Sequence, residues 1–293
     1  MEERLFKLAK KDIVRWFADH SPGVFSHKEI GHILAEHRDE WRLSDYITTR
    51  DAIDFLVKNT ELREVALAPI NHKNVRPEKR YVWGNVSPFR LALSLKPQAY
   101  LTHATAMFLH GLSDQIPQRI YVNKEQSLKR TRGGLTQESI DRAFSSKQRE
   151  STFLFRIEDS VAVLLWGKNT GRLEVGPFPH GNENLEVTRI ERTLIDVAVR
   201  PTYAGGVYQV LEAYRRAATR ISVGTLIATL RKIGYVYPYH QTIGYYMELA
   251  GYPQSQYERL REFGLSFNFY LTYGLKEADY NEKWRLFVPK GFQ

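Results

Sequence analysis

Four polar side chains share one face of a short predicted helix, where they could form hydrogen bonds with the edges of DNA bases. They lie in the segment TTRDAIDFLVKN and are Arg50, Asp54, Lys58 and Asn59. Steps of about four residues bring side chains to the same side of a helix, and these residue types supply the donors and acceptors that a major groove matches. Thr48 and Thr49, just before them, have hydroxyls suited to backbone phosphates. Ser26 and Lys28, at the start of the preceding predicted helix, complete this candidate DNA-binding set.

Two loops rich in positive charge could add contacts with phosphates. The first is PINHKNVRPEK with the strand start after it, and its candidate residues are Lys73, Asn74, Arg76, Lys79 and Arg80. The second is NKEQSLKRTRGG, and its candidate residues are Lys124, Lys129, Arg130 and Arg132. Salt-dependent binding to phosphates is the chemistry that such clusters favour. The alternative is that both are ordinary solvated surfaces.

Catalytic motifs are missing from the sequence. No acidic residue stands two positions before a lysine, so the metal-binding pattern of common restriction-type nucleases is absent. Gly167 and Lys168 resemble the end of a phosphate-binding loop, but Ala162 occupies the place of its first glycine. There is no Gly-Ser dipeptide of the nucleotidyltransferase type. Glu191 and Asp196 are five positions apart, and we predict structural pairing with Arg189 or Arg192 instead of catalysis. We expect no catalytic residues and no enzyme activity.

No metal or cofactor is expected either. His103 and His110 are seven positions apart and His32 and His37 are five apart, which does not match the one-turn spacing of a helical metal site. Cysteine is absent, so thiolate ligands and disulfides are excluded. We interpret the nine histidines as surface or core residues.

Composition indicates an ordinary globular protein with a surplus of positive charge. The chain has 293 residues and a net charge of +9, which favours a polyanionic partner and allows two domains. The basic surplus per residue is largest in residues 91–150. No segment is long and apolar enough for a membrane span, and the first residues, MEERLFKLAKK, lack the apolar centre of a signal peptide. We therefore expect a cytoplasmic protein without a membrane partner.

The elements that position the DNA-binding set predict a winged helix-turn-helix over residues 1–87. Apolar spacing predicts a first helix up to about Asp19. A second helix begins at the capping-box pair Ser26 and Glu29, and a third is capped by Thr48 or Thr49. Two predicted strands, Leu62–Ala68 and Arg80–Gly84, then enclose the first basic loop. Three helices followed by a two-stranded ribbon is the order of elements in that fold. An ordinary small α+β domain and a protein-binding winged helix are the alternatives.

Pro88 marks the predicted start of a larger mixed α/β domain, residues 88–293, with a helical C-terminal part; the whole chain is thus predicted as α+β. YLTHATAMFLHGLSDQIPQRIYV (Tyr100–Val122) predicts a helix capped by Thr102 and then a strand, with Ala104, Phe108 and Leu112 on the buried face. VTRIERTLIDVAVRP predicts another buried helix. Further predicted helices are Thr136–Ser146, Val207–Ala218, Val223–Ile233 and YHQTIGYYMELAG; further predicted strands are Phe153–Ile157, Val161–Leu165, Arg172–Val175, FNFYLTY and WRLFVP; PFPHG is predicted as a loop.

Several of these motifs together resemble the AbiEi family of antitoxins. They are the SHKEI and TTRDAIDFL helices, the basic loop with RYVWG, the segment Tyr100–Val122, ERTLIDVAVRPTYAGG (Glu191–Gly206) and YHQTIGYYMELAGY (Tyr239–Tyr252). The resemblance covers essentially the whole chain. The central segment and ERTLID are its more specific parts.

The resemblance implies an N-terminal winged helix-turn-helix, a C-terminal antitoxin domain and repression of the protein's own operon. The expected partners are operator DNA, with inverted repeats upstream of that operon, and a nucleotidyltransferase-like toxin of a phage-defence abortive-infection system. Many family members neutralise the toxin without a stable complex. The alternatives are a nucleic-acid-modifying enzyme targeted by its winged helix, and a transcriptional regulator or protein-binding module that is not an antitoxin.

Overall fold

The chain contains both helices and strands in a computed structural model that describes residues 2–71, 76–128 and 134–293, with residues 2–5 described by their backbone alone. In chain order the first elements are α1 (Glu2–Asp19), β1 (Gly23–Phe25), α2 (His27–Glu36), α3 (Thr49–Asn59), β2 (Arg63–Pro69), β3 (Glu78–Trp83), α4 (Pro88–Leu93), β4 (Tyr100–Leu101), α5 (His103–Leu109), β5 (Arg119–Glu125), α6 (Gln137–Phe144), β6 (Leu154–Ile157), β7 (Ser160–Gly167), β8 (Val175–His180) and β9 (Glu183–Thr188). The remaining elements are α7 (Ile190–Val199), α8 (Val207–Ala217), α9 (Val223–Ile233), α10 (Tyr239–Leu249), α11 (Gln254–Tyr257), β10 (Phe269–Tyr270), β11 (Ala278–Asn281) and β12 (Leu286–Pro289). The predicted α+β class is confirmed.

The chain divides into two compact units. Unit 1 comprises residues 1–99, 152–164 and 178–185, and unit 2 comprises residues 100–151, 165–177 and 186–293. Strands β7, β8 and β9 each contribute residues to both units. Because unit 1 takes in two later segments, it differs from a contiguous domain of residues 1–87; the domain boundary at Pro88 stays a prediction.

Two capping boxes fix the starts of the second and third helices. The hydroxyl of Ser26 accepts from the backbone N–H of Glu29, whose carboxylate accepts from the N–H of Ser26, and α2 begins there. Thr48 and Asp51 make the same exchange at α3. Such caps satisfy backbone donors that a helix leaves unpaired. Both predicted starts are confirmed.

Unit 1 packs α1, α2 and α3 beside an antiparallel set of strands. Strand β1 pairs with β3, β3 with β2, β2 with β6 and β6 with β7, all antiparallel. Aromatic side chains fill the core, where Phe6 stacks on Phe55 at 4.8 Å between ring centroids and Phe17 on Trp83 at 5.1 Å. The apolar faces that the sequence gives these helices are thereby removed from water, which is the main gain on folding.

Unit 2 has a core of helices with short strands beside them. Strand β4 pairs antiparallel with β5 and parallel with β9. Helix α10 is buried at every residue from Tyr239 to Met247, so it is the central helix of this core. Trp284 lies fully buried against Gly244, which has no side chain to keep the indole away. Near the C-terminus, β12 pairs parallel with β10 and antiparallel with β11.

The buried face of α5 differs from the predicted one. Thr105, Ala106 and Met107 are buried, whereas Phe108 and Leu109 are only half-buried. The prediction followed the large apolar side chains. Thr105 is accommodated because its hydroxyl accepts from the N–H of Tyr121 at 2.8 Å, so a polar residue can lie on the inner face without an unsatisfied group.

The PFPHG segment is part of a strand and not a loop. Strand β8 includes Pro177 and Pro179, and its one strand neighbour in the described residues is β9. Proline is tolerated there because an edge strand leaves alternate N–H positions without a ladder partner. The strand predicted at Arg172–Val175 is wrong, since Arg172 and Glu174 have positive φ values and β8 begins at Val175. The elements that were not predicted are β1, α4, β4, β9, α11 and β11.

None of the helices in the described residues combines the length and the apolar character that crossing a bilayer requires.

Candidate functional site

The outer face of α3 presents charged side chains to solvent, as predicted. Arg50 and Asp54 are 85% and 71% exposed, and their closest charged atoms are 3.9 Å apart. Lys58 is exposed in the last turn of the helix. A pair this exposed is held weakly, so the guanidinium of Arg50 can exchange Asp54 for another acceptor at little cost.

The polar residues at the ends of α3 are engaged within unit 1. The Thr48 hydroxyl belongs to the capping box, and its hydrogen bond is the main cause that lowers the pKa of Asp51. Thr49 lies against α2, where its Oγ1 would be 3.0 Å from a Cβ atom on Gly31. Asn59 donates to the carbonyl of Phe55 at 2.8 Å. These residues build and place the helix, and Arg50, Asp54 and Lys58 are left as its outward-facing groups.

The start of α2 provides a further exposed cation of the predicted set. Lys28 is exposed in the first turn of α2, two positions after the half-buried cap Ser26. The Ser26 hydroxyl is occupied by its capping role, so it offers less to a ligand than the sequence suggested.

Two predicted cations on the β2–β3 ribbon differ in exposure: Lys79 faces solvent and Arg80 is largely buried. Lys79 is exposed and pairs across the ribbon with Glu64 at 2.8 Å. The side chain of Arg80 is 11% exposed, and its guanidinium donates to the carbonyl of Ser94 at 2.7 Å and to Glu78 at 2.7 Å. Arg80 therefore stabilises unit 1 from within, and a phosphate contact would require it to leave these partners.

The two predicted basic loops are described in part. Arg76 is exposed just before β3, whereas Lys73 and Asn74 lie outside the described residues. In unit 2, Lys124 is half-buried on β5, and Lys129, Arg130 and Arg132 lie outside the described residues. The outward-facing candidates that the structure does place in unit 1 are Lys28, Arg50, Asp54, Lys58, Arg76 and Lys79.

A cavity in unit 2 is a second candidate site, which the sequence analysis missed. Its volume is about 470 Å³, and all of its lining residues belong to unit 2. At its base, Nε of Arg192 donates to Asp196 at 2.8 Å, and the hydroxyl of Thr102 donates to the other carboxylate oxygen at 3.0 Å. Both members of the ion pair are less than a tenth exposed. The predicted pairing of Asp196 with Arg192 is confirmed, whereas Glu191 accepts from the N–H of Ser222.

Thr102 stands at the N-cap position of α5, but its hydroxyl does not cap the helix. The hydroxyl donates to Asp196 instead, so the predicted capping bond is absent. Thr102 thereby joins α5 to α7 within the cavity wall.

A hydrogen-bonded group of polar side chains forms another wall of the cavity. The Asn123 amide donates to the hydroxyl of Tyr100 at 2.7 Å, and its oxygen accepts from the N–H of Gly167 at 2.8 Å. Tyr100 in turn donates to Glu125 at 3.1 Å. Burial raises the pKa of the Tyr100 hydroxyl, and hydrogen bonds from Thr170 and neighbouring groups overcome burial to lower that of Glu125. This wall is therefore held in one geometry before any ligand enters.

His103 carries two features that are unfavourable for the fold. Its ring is buried, with no hydrogen-bond partner for Nδ1, and burial lowers its pKa to about 4. Its φ is +51°, in the left-handed region that a residue with a Cβ seldom adopts. Strained backbone and unsatisfied polar atoms cluster at functional sites more than in plain cores.

Within the described ranges, no three acidic or histidine side chains lie close enough together to hold a metal ion. The cavity contains one carboxylate, Asp196, and it already has two partners.

Comparison with known proteins shows that this chain is similar in fold to a solved structure. Neither a protein-family model nor a curated protein matches the chain. Among solved structures, the crystal structure of the RV2827C protein from Mycobacterium tuberculosis is similar, with a TM-score of 0.56 and 14% sequence identity. The similarity covers 96% of this chain and 91% of that one. At this identity it is the fold that the two proteins share.

Proposed function

We propose that unit 1 contains a winged helix-turn-helix that binds DNA, with α3 as the recognition helix. The observation that carries the proposal is the outer face of α3, where Arg50, Asp54 and Lys58 face solvent while the opposite face is buried. The strand pairings support it, because β1 beside β3 and β3 beside β2 form an antiparallel set like the one that such a domain places behind its third helix, and here β6 extends it beyond β2. Exposed Lys79 and Arg76 on the ribbon then serve as phosphate contacts.

The biological role that we propose is an antitoxin that also represses its own operon. It rests on the resemblance of the sequence to AbiEi antitoxins, and its partner would be a nucleotidyltransferase-like toxin encoded beside it. Repression requires DNA binding by unit 1. Unit 2 contains the larger helical core and is the part we assign to countering the toxin.

The DNA-binding proposal is tested by fluorescence anisotropy with full-length protein and two labelled duplexes, the region upstream of its own gene and a shuffled sequence. Arg50→Ala should weaken binding to the upstream duplex by about 1–3 kcal/mol and reduce its preference over the shuffled one. Arg15→Ala is the matched control, since Arg15 is an exposed arginine on α1. Full sequence preference in the folded Arg50→Ala protein would overturn the assignment of α3.

The antitoxin proposal is tested by expressing the full-length protein and the neighbouring toxin from separate inducible promoters, so that repression cannot imitate protection. We expect the wild type and Arg50→Ala to rescue growth equally, while Arg50→Ala fails to repress a reporter behind the upstream region. Toxicity that persists with the wild-type protein present would rule out the antitoxin role and leave DNA-binding regulation alone.

A further inference from the structure

The unit 2 cavity has the size and the polar groups of a small-molecule site. Its volume of about 470 Å³ falls within the range that protein sites use for cofactor-sized ligands. Its polar walls are held in place by hydrogen bonds: Asp196 accepts from Arg192 and from Thr102, and Asn123 donates to Tyr100. Because these lining groups are already fixed, the cavity is preorganised and can bind a ligand without large rearrangement.

The charges along the cavity favour an anion. Among the described lining residues, Lys168, Arg192 and Arg200 are cationic and Asp196 is the one carboxylate, which Arg192 already neutralises. Lys168 donates one hydrogen bond to the carbonyl of Gly234 at 2.5 Å, and Arg200 donates one to the carbonyl of Arg149 at 3.3 Å. An ammonium group has three donors and a guanidinium five, so both cations keep donors for a ligand.

Aromatic rings form much of the remaining wall. They are Tyr100, Trp166, Tyr235, Tyr237, Tyr239 and Tyr273. Trp166 is 42% exposed at this site, which is unusual for so large an apolar ring. Lys168 lies over the ring of Tyr235, with Nζ 5.6 Å from the centroid. Cationic groups beside aromatic faces form a surface that binds a planar ring and a phosphate together.

His103, which also lines the cavity, has a conformation and a burial that are unfavourable for the fold. The lining contains this strained residue, with a buried nitrogen that has no partner. If this position only had to fill the core, an apolar residue in an unstrained conformation would pack there at lower energy. The concentration of strain and unsatisfied polarity at a cavity that combines cations with aromatic rings is independent support for a binding role.

We propose that this cavity binds a nucleotide, with its base against the tyrosine rings and its phosphates at Lys168 and Arg200. The inference stands apart from DNA recognition by unit 1, because every residue that carries it belongs to unit 2. It requires no covalent step. A ligand with both a planar ring and a phosphate should bind more tightly than either part alone.

The experiment is isothermal titration calorimetry of full-length protein with ATP, GTP, AMP, adenosine and inorganic phosphate. We expect at least one nucleotide to bind one-to-one, and adenosine and phosphate to bind at least about tenfold more weakly because each makes only part of the contacts. Arg200→Ala and Tyr235→Leu should each raise the Kd of that nucleotide about tenfold or more. Arg200→Lys should recover part of the loss, which a general effect on folding would not do.

Matched controls are Lys232→Ala and Tyr208→Leu, an exposed cation and an exposed tyrosine of unit 2 that do not line the cavity. Both should bind as the wild type does. Binding that is lost in Arg50→Ala but kept in Arg200→Ala would place the phosphate on unit 1 and overturn the proposal. Absence of saturable heat with every nucleotide, from protein shown by circular dichroism to be folded, would overturn it equally.

Discussion

Arg192 and Asp196 form an ion pair one helical turn apart on α7, with 2.8 Å between Nε and Oδ1, and both side chains are less than a tenth exposed. Arg192 also donates to the Thr170 hydroxyl and the Leu173 carbonyl, so one guanidinium joins α7 to the chain before β8. A buried pair of this kind adds little net stability over a well-packed apolar pair, but it is expensive to break.

The pair should therefore show strong coupling. Arg192→Leu and Asp196→Leu should each lower the free energy of unfolding by about 3–5 kcal/mol, because each leaves a buried charge without its partner. The double variant should cost clearly less than the two single costs together. Denaturant unfolding of the four proteins measures the coupling. Simple additivity would mean that the two charges act independently, contrary to their contact.

The buried His103 should make stability depend on pH. The unfolded chain takes up a proton near the ordinary pKa of 6.5, whereas the folded protein does so only near 4. Below pH 6.5 the unfolded state thus binds more protons, and stability falls as the pH is lowered from about 6.5 to about 4. For the full shift the loss is on the order of 3 kcal/mol.

His103→Asn should reduce this dependence, and asparagine accepts the left-handed backbone better than other residues with a Cβ. The measurement is the free energy of unfolding at pH 7.5 and at pH 5 for the wild type and the variant. Burial also lowers the pKa values of His110 and His240, so a smaller dependence should remain. Exposed His32, changed to Asn, is the control. An equal pH dependence in the wild type and His103→Asn would contradict the assignment.

Two helical glycines should respond in opposite directions to the same change. A Cβ on Gly244 would lie 2.1 Å from the indole of Trp284, so Gly244→Ala must displace a fully buried ring. We expect a loss of about 1–3 kcal/mol or more. At Gly224, near the start of α9, the nearest atom is the Ser222 hydroxyl at 3.7 Å, and alanine should stabilise the helix by about 0.5–1 kcal/mol. Thermal unfolding compares the two; destabilisation of similar size in both would mean that Trp284 is not the cause.

Lys79 and Arg80 are neighbours with different expected roles. Lys79→Ala should weaken binding to the upstream and shuffled duplexes alike and lower the slope of log K against log salt by about one, as expected for one phosphate contact. Arg80→Ala should instead lower stability by about 1–3 kcal/mol, because Ser94 and Glu78 lose a buried donor. Salt titrations and denaturant unfolding of both variants, with Lys11→Ala as the exposed control, separate the roles. A lower salt slope for Arg80→Ala at unchanged stability would mean that Arg80 contacts phosphate and does not stabilise the fold, contrary to the role expected here.

Local chemistry made the helices of this protein predictable. Capping boxes at Ser26 and Thr48, and Ser222 and Gly234 at the two ends of α9, act within a few residues, so the sequence alone places those ends. The predicted pairing of Asp196 with Arg192 also depends on a single helical turn.

Interactions between distant residues were not predictable in the same way. Arg80 was assigned to DNA because it is a cation beside a basic loop, and only the fold brings Ser94 to its guanidinium. The cavity combines residues from β4, β5, α7 and the segment before α10, so no single motif reveals it. One signal was present: Tyr235, Tyr237 and Tyr239 alternate in a short segment after Gly234, and three rings in five positions are more than a turn requires.

Strand β6 pairs with β2, although roughly 90 residues separate them along the chain. During synthesis at 5–20 residues per second, β2 must therefore wait for roughly 5–20 s before its partner is made, with the strand edge open to other contacts. The final segment of unit 1, residues 178–185, is made later still. A ribosome that stops before residue 185 leaves unit 1 incomplete, although all of α1, α2 and α3 have been made. Under the proposed function, a chain cut short before residue 185 would lack part of the unit that we assign to the operator, whereas a chain that completes this unit still has residues 186–293 of unit 2 to be made.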